Sequence, residues 1–256
     1  MAILIENVTL PFSELRIPFW QAPEKGLYGV VGPNGSGKSQ FFSLLYQELK
    51  VRHGTVVINE RVGCVMQHPE HQLTESTVAN ELLWAFRGKK QSDSRWQQRV
   101  DQIVARWQLG SLWNQSPWTL STGQKRRVVL AAYDLLNPDV LLLDEPTEGL
   151  DGFWREELKR WLISQELSRL TLVISHDWPW LLSFMETGFW CEKTLDSSAT
   201  DLGKLWHHHT LSAQSPLEEL WRDLLNRNAP VSFRGWIDAE RALQQVVKLW
   251  NQVRHQ

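Results

Sequence analysis

A glycine-rich turn near the amino terminus carries the residue types that binding a phosphate group requires. The segment Gly32-Pro33-Asn34-Gly35-Ser36-Gly37-Lys38-Ser39, followed by Gln40, matches the pattern G-x-x-x-x-G-K-S. In such a turn the backbone N–H groups surround phosphate oxygens, the lysine reaches the β- and γ-phosphates, and the serine hydroxyl binds Mg²⁺. An apolar run at 27–31 precedes the turn and a helical pattern follows it, which is the context that this motif needs. Alone, the motif indicates only a nucleotide-binding enzyme.

Two adjacent acids follow a second apolar run. Residues 140–143 are Val-Leu-Leu-Leu, and Asp144 and Glu145 come directly after them. A solvated acidic turn is a common reading of this pattern, but a phosphate-binding turn requires an acid for Mg²⁺ at a nearby strand end. We therefore expect Asp144 to hold Mg²⁺ through water and Glu145 to act as the general base that polarises the attacking water.

A third segment resembles a family signature. Leu120-Ser121-Thr122-Gly123-Gln124 is similar to the LSGGQ sequence of ATP-binding cassette (ABC) proteins, with Thr122 where the family has glycine. The resemblance implies that Ser121, Thr122, Gly123 and Gln124 begin a helix whose amino-terminal end binds the γ-phosphate held by an opposite subunit. A small hydroxyl, a backbone amide and the helix dipole suit that task.

Three single residues fit the same family, although each type is more often structural when it occurs alone. Gln67, after a predicted strand at 62–66, resembles the glutamine that contacts Mg²⁺ and the attacking water. Asp151 resembles the aspartate of the loop that crosses the dimer interface, and His176 the histidine that contacts the γ-phosphate. The resemblance thus implies a catalytic set of Glu145, His176 and Gln67. It also implies a Mg²⁺ site at Ser39, Gln67 and Asp144.

The adenine contact is the least determined part of the site. The family stacks the base on an aromatic residue in the loop after the first strand, and Phe12 is the best candidate by position. An ordinary buried phenylalanine is nearly as good an explanation. Phe19 and Trp20 are weaker candidates.

The pattern of elements predicts an α/β fold. Apolar runs at 27–31, 140–143 and 170–175 alternate with helical patterns, which indicates a sheet with a parallel core. The resemblance implies a P-loop NTPase fold with an ABC ATPase core, an N-terminal antiparallel β region and a helical signature subdomain at about 76–137. We expect this ATPase domain to span 1–210. Two predicted helices within 211–256 would form a small C-terminal extension.

Composition restricts location and partners. With 27 basic and 29 acidic residues the net charge is −2, which gives no long-range attraction for nucleic acid. Two cysteines cannot form a disulfide framework, and no apolar run is long enough to cross a bilayer. We expect a cytoplasmic protein that reaches the membrane through partner subunits. The basic run 125–127 is interpreted as a solvated helix face, and His207-His208-His209 as a surface loop rather than a metal site.

The function that the resemblance implies is ATP hydrolysis coupled to transport. Residues 67–73 and 77–82 resemble the Q-loop region of energy-coupling-factor importers, which take up vitamins or transition-metal ions. The expected partners are a second ATPase subunit, identical or different, and separate transmembrane subunits. The alternative is an ABC ATPase that acts on DNA or ribosomes, and a binding-only module or a nucleotide kinase fits less well.

Overall fold

The computed structural model describes residues 3–84 and 94–205, which contain two β-sheets and the helices packed on them. The strands are β1 (Ile3–Thr9), β2 (Arg16–Gln21), β3 (Gly26–Val31), β4 (Thr55–Ile58), β5 (Val62–Val65), β6 (Val140–Asp144), β7 (Leu170–Ile174), β8 (Thr187–Trp190) and β9 (Thr200–Asp201). The α-helices are α1 (Lys38–Leu45), α2 (Val78–Trp84), α3 (Ser94–Arg106), α4 (Thr122–Leu136), α5 (Gly152–Gln165) and α6 (Trp178–Leu182). Short 3₁₀ turns lie at Pro69–His71, Gly110–Leu112 and Pro117–Thr119.

The larger sheet has the strand order β5-β6-β7-β3-β8-β9. The first five strands run parallel to their neighbours, and only β9 pairs antiparallel, with β8. Every residue of β6 and β7 is buried, as the continuous apolar runs predict for central parallel strands. The α/β fold is therefore confirmed. Because the five strands are parallel, their carboxyl ends share one edge of the sheet, where α/β proteins bind ligands.

The smaller sheet is antiparallel and has the order β2-β1-β4. Its inner face packs on α1 and on one face of the larger sheet, with Trp20 perpendicular to the Phe41 ring at a centroid distance of 5.1 Å. Residues of β6 alternate between the two faces of the larger sheet, so Leu142 joins this core while Leu141 joins the other. The N-terminal antiparallel region that the sequence predicts is thus present. This smaller sheet packs against α1, the helix that follows the glycine-rich turn.

The opposite face of the larger sheet carries α2 to α5. Trp107 is almost fully buried there and contacts Trp161 edge to face, at a centroid distance of 5.4 Å. Its indole N–H donates to Asp134 Oδ2 on α4 at 3.2 Å, so the helical side also has a polar anchor. Across residues 3–84 and 94–205, none of the helices combines the length and apolar character that crossing a bilayer demands.

Several predictions fall outside the described residues. The predicted C-terminal extension at 211–256 and the histidines 207–209 belong to this group. The proposed limits of the ATPase domain at 1–210 and of the helical subdomain at about 76–137 therefore remain predictions.

Candidate functional site

Four parallel strands place the predicted site residues at one edge of the larger sheet. The glycine-rich turn follows β3, Gln67 follows β5, Glu145 follows β6, and His176 follows β7 by one intervening serine. Since these strands are neighbours in the order β5-β6-β7-β3, residues far apart in sequence lie side by side. The arrangement is the topological consequence of parallel crossovers, which always return the chain to the same edge.

Glycine is required in the phosphate turn for steric reasons. Gly32 has a φ of 154°, and a Cβ added there would lie 1.8 Å from the carbonyl oxygen of Cys191. Gly37, with a φ of 99°, is the residue before α1, and a Cβ there would lie 2.6 Å from Ser13 Oγ. No side chain caps α1, so its first N–H groups keep their capacity to bind an anion.

Lys38 is held inside this turn. Its Nζ donates hydrogen bonds to the carbonyl oxygens of Gly32 and Pro33, at 2.9 and 2.8 Å. Burial lowers the pKa of Lys38, while the charges of Cys191, Glu145 and Asp144 act in the opposite direction. The lysine therefore lies inside the turn, near Asp144 at the end of β6 and Glu145 directly after it.

Ser39 and Asp144 form the predicted metal position. Burial raises the pKa of Asp144, although the neighbouring Ser39 hydroxyl and the Lys38 charge act to lower it. A hydroxyl and a carboxylate are the oxygen donors that Mg²⁺ prefers, and Mg²⁺ commonly takes only one or two protein ligands beside water and phosphate oxygens. The two side chains therefore fit Mg²⁺. The charge of a bound Mg²⁺ would offset the free-energy cost of burying the Asp144 carboxylate.

Glu145 stands in a strained backbone conformation that only tertiary contacts can hold. Its φ is 47°, a left-handed value that side-chain-bearing residues rarely adopt, and its N–H donates to Ile174 O at 2.9 Å. The Ser175 hydroxyl and the His176 backbone N–H both donate to Oε2, each at 3.2 Å. Oε1 is buried and receives no hydrogen bond from the described residues.

The electrostatics of Glu145 suit a proton acceptor. Burial raises its pKa most strongly and the Asp144 charge raises it further, against the hydrogen bonds from His176 and Ser175. His176 Nε2 lies 3.4 Å from the unpartnered Oε1. A carboxylate with one oxygen held by two hydrogen bonds and the other free of hydrogen bonds beside an imidazole can act as a proton acceptor.

Two hydrogen bonds to Asp177 fix the loop that carries His176. Asp177 begins α6, where its Oδ1 accepts from the Trp180 N–H at 3.1 Å. Its Oδ2 accepts from Arg155 Nη1 of α5 at 2.8 Å. These contacts set the backbone that presents the His176 N–H to Glu145.

The signature segment begins α4, as predicted. Ser121 Oγ accepts from the Gln124 N–H at 3.3 Å, and Gln124 Oε1 accepts from the Ser121 N–H at 2.9 Å, which is a complete capping box. Ser121 and Thr122 are exposed, whereas Gly123 packs so closely on Gly149 that a Cβ would lie 2.6 Å from its carbonyl oxygen. Among residues 3–84 and 94–205, none of the hydrogen bonds joins 121–124 to the glycine-rich turn.

Asp151 and Gln67 have local roles that the sequence analysis did not foresee. Asp151 is the N-cap of α5, where its Oδ1 accepts from the Trp154 N–H at 2.9 Å. The Gln67 side chain is exposed, and its backbone carbonyl accepts a hydrogen bond from Arg126. Their predicted contacts with a partner subunit and with Mg²⁺ stay predictions.

Phe12 is an exposed aromatic residue rather than part of the core. Its side chain is 82% exposed, while Trp20 is fully buried and so cannot stack on a base. Gln40 in the first turn of α1 accepts from the Phe12 N–H at 3.3 Å and from Ser13 Oγ at 3.4 Å. Gln40 therefore ties the Phe12 loop to the phosphate turn, and the alternative of a buried Phe12 is wrong.

The interpretation of the basic run 125–127 as a solvated face is wrong for Arg126, which is fully buried. Arg127 is also engaged: its Nη1 donates to Trp107 O at 2.8 Å, and its guanidinium lies 4.3 Å above the Trp154 ring. Arg126 is not among the site residues that the sequence predicts. The available signal was its position, two residues after Gln124 on the predicted signature helix.

The sequence of this chain is similar to those of known proteins. The family model described as "ABC transporter" matches residues 19–148. The energy-coupling factor transporter ATP-binding protein EcfA2 of Clostridioides difficile is 31% identical over 202 residues, which are 68% of this chain and 70% of the relative.

Two solved structures share the fold. One is cbiO1 from Clostridium perfringens, part of the ABC transporter complex cbiONQ, with a TM-score of 0.66 at 22% identity over 87% of this chain and 94% of the other. The other is a dimeric, post-hydrolysis structure of the ATP-binding cassette MJ0796 bound to ADP and Pi, with a TM-score of 0.66 at 23% identity over 78% and 99% of the two chains.

Proposed function

Since the chain belongs to the ABC transporter family and is an ATPase of that family, we propose that it works in a two-cassette dimer that drives separate transmembrane subunits of an importer. One observation carries the proposal: Glu145, the candidate general base, receives two hydrogen bonds at Oε2, while its buried Oε1 receives none and lies 3.4 Å from His176 Nε2. The rest of the site supports the steps around it.

Hydrolysis follows from the positions of the side chains. The N–H groups of residues 32–39 and Lys38 bind the phosphates of ATP, and Phe12 stacks on the adenine. Ser39 and Asp144, with Gln67 as a further ligand, would hold Mg²⁺, which would supply positive charge beside the β- and γ-phosphates. Glu145 accepts a proton from the attacking water at Oε1, and His176 contacts the γ-phosphate.

The dimer explains an otherwise unused helix end. Ser121 and Thr122 are exposed at the start of the 15-residue helix α4, and no described hydrogen bond joins them to the phosphate turn of the same chain. A helix N-terminus with a serine cap is an anion site, so a partner's γ-phosphate fits it. Asp151 then lies on the contact between the two copies. A cassette of this fold has been solved as a dimer with ADP and Pi.

The importer subtype is the finer part of the proposal. The resemblance of residues 67–82 to energy-coupling-factor ATPases agrees with the EcfA2 relative and with cbiO1 of a cbiONQ complex. We therefore propose a vitamin or a transition-metal ion as the cargo of the partner subunits. The chain would sit on the cytoplasmic face of the membrane, with 211–256 as an extension used in dimer contacts.

A trapped dimer tests the central step. Glu145→Gln keeps the shape of the side chain but removes the proton acceptor, so hydrolysis should fall by roughly 10²- to 10⁴-fold while ATP still binds. Size-exclusion chromatography with Mg-ATP should then show a stable dimer that ADP does not support. Glu156→Gln, an exposed change on α5, is the matched control and should turn over like the wild type. Only monomer in the Glu145→Gln sample with Mg-ATP would contradict the proposal.

A partition experiment tests the partner. Membrane vesicles from the source organism should bind the chain, whereas protein-free liposomes and duplex DNA should not. Binding to DNA at physiological salt, with no excess on the native vesicles, would favour the nucleic-acid alternative.

A further inference from the structure

Ser175 carries a buried hydroxyl group that makes two hydrogen bonds. The residue is 3% exposed and directly follows β7. Its Oγ accepts from the Asp177 N–H at 3.1 Å and donates to Glu145 Oε2 at 3.2 Å. A serine hydroxyl has one proton, and a backbone N–H can only donate. The hydroxyl proton is therefore left for Glu145 Oε2.

The register of the larger sheet places Ser175 beside Glu145. Strands β6 and β7 run parallel, with Asp144 opposite Ile174, and the Glu145 N–H donates to Ile174 O at 2.9 Å. The residues that follow these two positions, Glu145 and Ser175, are therefore neighbours as well. Strand pairing, rather than a feature of either side chain, brings the hydroxyl to the carboxylate.

The backbone group that donates to Ser175 is itself held in place. The carboxylate of Asp177 accepts from the Trp180 N–H at 3.1 Å and from Arg155 Nη1 at 2.8 Å. Arg155 Nε also donates to Leu150 O at 3.2 Å, so the guanidinium is held at two places. Because the Asp177 N–H is fixed by these contacts, the direction in which the Ser175 hydroxyl points is fixed as well.

The Glu145 carboxylate would not adopt one orientation by itself. The terminal torsion of a glutamate side chain is broad and roughly two-fold, so its two oxygens can exchange places. The Ser175 hydroxyl and the His176 backbone N–H both donate to Oε2, which removes that freedom. Oε1 is then the oxygen that lies 3.4 Å from His176 Nε2.

We infer that Ser175 is a positioning residue for Glu145, whose hydroxyl holds Oε2 and so leaves Oε1 as the oxygen that takes the proton of the attacking water. The His176 N–H alone holds Oε2 at one point, about which the carboxylate can turn. The Ser175 hydroxyl supplies the second point. Ser175 itself exchanges no proton and acts only through Glu145. This inference rests on the proposed role of Glu145 in hydrolysis.

The alternative is that the hydroxyl only satisfies buried polar groups and stabilises the fold. Removal of the hydroxyl would then lower the melting temperature and leave the kinetics of the folded chain unchanged. Positioning predicts a different result, in which kcat falls while the KM for ATP stays the same. The two parameters separate because the phosphates bind to the turn at 32–39, whereas Glu145 acts on the water.

Thr171 offers a matched control in β7, four residues before Ser175. It is fully buried, and its Oγ1 has no hydrogen-bond partner among the described residues. Thr171→Val removes this hydroxyl and keeps the branched shape of the side chain. We expect the variant to hydrolyse ATP like the wild type, so it measures the effect of losing a buried hydroxyl that does not contact Glu145.

The experiment compares Ser175→Ala and Ser175→Thr with Thr171→Val in the full chain, at a temperature where thermal unfolding shows each variant to be folded. For Ser175→Ala we expect kcat to fall by roughly 10- to 100-fold at an unchanged KM, since a misplacement of about 1 Å can cost about 100-fold. Ser175→Thr keeps the hydroxyl and should stay close to the wild type. Ser175→Cys, with a weaker donor, carries the test if Ser175→Ala does not fold.

A double variant shows whether Ser175 acts through Glu145. In the Glu145→Gln background, Ser175→Ala should not lower the residual rate further, because the group that it positions is already lost. A full additional loss there would overturn the inference. A kcat for Ser175→Ala equal to that of Thr171→Val would also overturn it, as would a Ser175→Thr rate no higher than that of Ser175→Ala. Wild-type hydrolysis by Glu145→Gln alone would instead overturn the proposed function.

Discussion

Two contacts from His176 hold the carboxylate of Glu145: the backbone N–H lies 3.2 Å from Oε2, and Nε2 lies 3.4 Å from Oε1. The first contact survives any change of side chain, because it belongs to the backbone. The second does not. Substitutions at 176 can therefore separate the orientation of Glu145, set at Oε2, from the chemistry at Oε1.

His176→Ala should lower the rate of ATP hydrolysis by roughly 10²- to 10⁴-fold, since the imidazole beside the reacting oxygen is lost while Oε2 stays fixed. Steady-state turnover and equilibrium ATP binding, measured on the same preparation, check this. His53→Ala, an exposed histidine outside the site, serves as the control. Loss of ATP binding together with turnover would argue against a role confined to hydrolysis.

Lys38→Ala should abolish most activity, by roughly 100-fold or more, because the turn loses the cation that neutralises the phosphates. The variant should keep its circular dichroism spectrum, since the turn backbone is set by glycines rather than by the lysine. Lys50→Ala removes an exposed lysine after α1 and should leave turnover unchanged. Wild-type turnover in Lys38→Ala would mean that this turn does not bind the phosphates.

Phe12→Ala should raise the KM for ATP about tenfold with little effect on stability, because stacking on a base contributes about 1–3 kcal/mol and the side chain is exposed. Phe12→Trp should restore most of the affinity. The matched change Phe19→Ala removes another exposed phenylalanine, on β2. If Phe19→Ala raises the KM and Phe12→Ala does not, the adenine contact lies on β2 instead.

Arg169→Met should stabilise the fold. Arg169 is 2% exposed, and all three of its guanidinium nitrogens lack hydrogen-bond partners among the described residues, although the group lies 4.9 Å above the Trp161 ring. Burial lowers the pKa of Arg169 to about 10, so the cation opposes folding at neutral pH. Replacing a buried charge by an apolar side chain of similar volume can gain about 1–4 kcal/mol.

Thermal unfolding at neutral pH checks this prediction, with Arg160→Met as the exposed control. We expect a melting temperature a few degrees above wild type. A melting temperature below that of Arg160→Met would show that the contact with Trp161 outweighs the missing hydrogen bonds.

Asp139→Asn should destabilise the chain at neutral pH and lose that effect in acid. Arg61 donates to both carboxylate oxygens of Asp139, at 2.9 and 3.0 Å, and this lowers the pKa of Asp139 below its ordinary value of 3.8. A lowered pKa stabilises the fold above the ordinary value, and that stability is lost as pH falls through the folded value. The pair is partly exposed, so the effect should be about 1 kcal/mol or less.

Urea unfolding of the wild type and of Asp139→Asn, at neutral pH and near pH 3, measures the difference. Asp101→Asn on α3, whose Oδ1 accepts a hydrogen bond from Gln97 Nε2 at 3.0 Å, is the control. A difference that stays constant across this pH range would assign the stability to the side-chain geometry and not to the charge.

Several features of the fold and the site could be predicted from the sequence alone, because each depends on a short stretch of residues. A phosphate turn needs glycines where a Cβ would collide, as at Gly32. Central parallel strands need mainly apolar residues, as in β6 and β7, where the polar exceptions are Asp144 and Thr171. The signature segment specifies its own helix start through the Ser121–Gln124 capping box. Motif, element type and the order of the site residues therefore follow from short stretches of sequence.

Tertiary structure decided what depends on distant neighbours. The left-handed backbone of Glu145 and the two hydrogen bonds to its Oε2 exist because β7 brings Ser175 and His176 beside β6. Arg126 looks like a surface residue in a basic run, and only the crossing of α4 over the segment after β5 buries it against two carbonyls. Whether a polar side chain is buried, and which groups it bonds to, depends on segments that are distant in sequence and pack against it. The residue types around one position therefore do not determine these features.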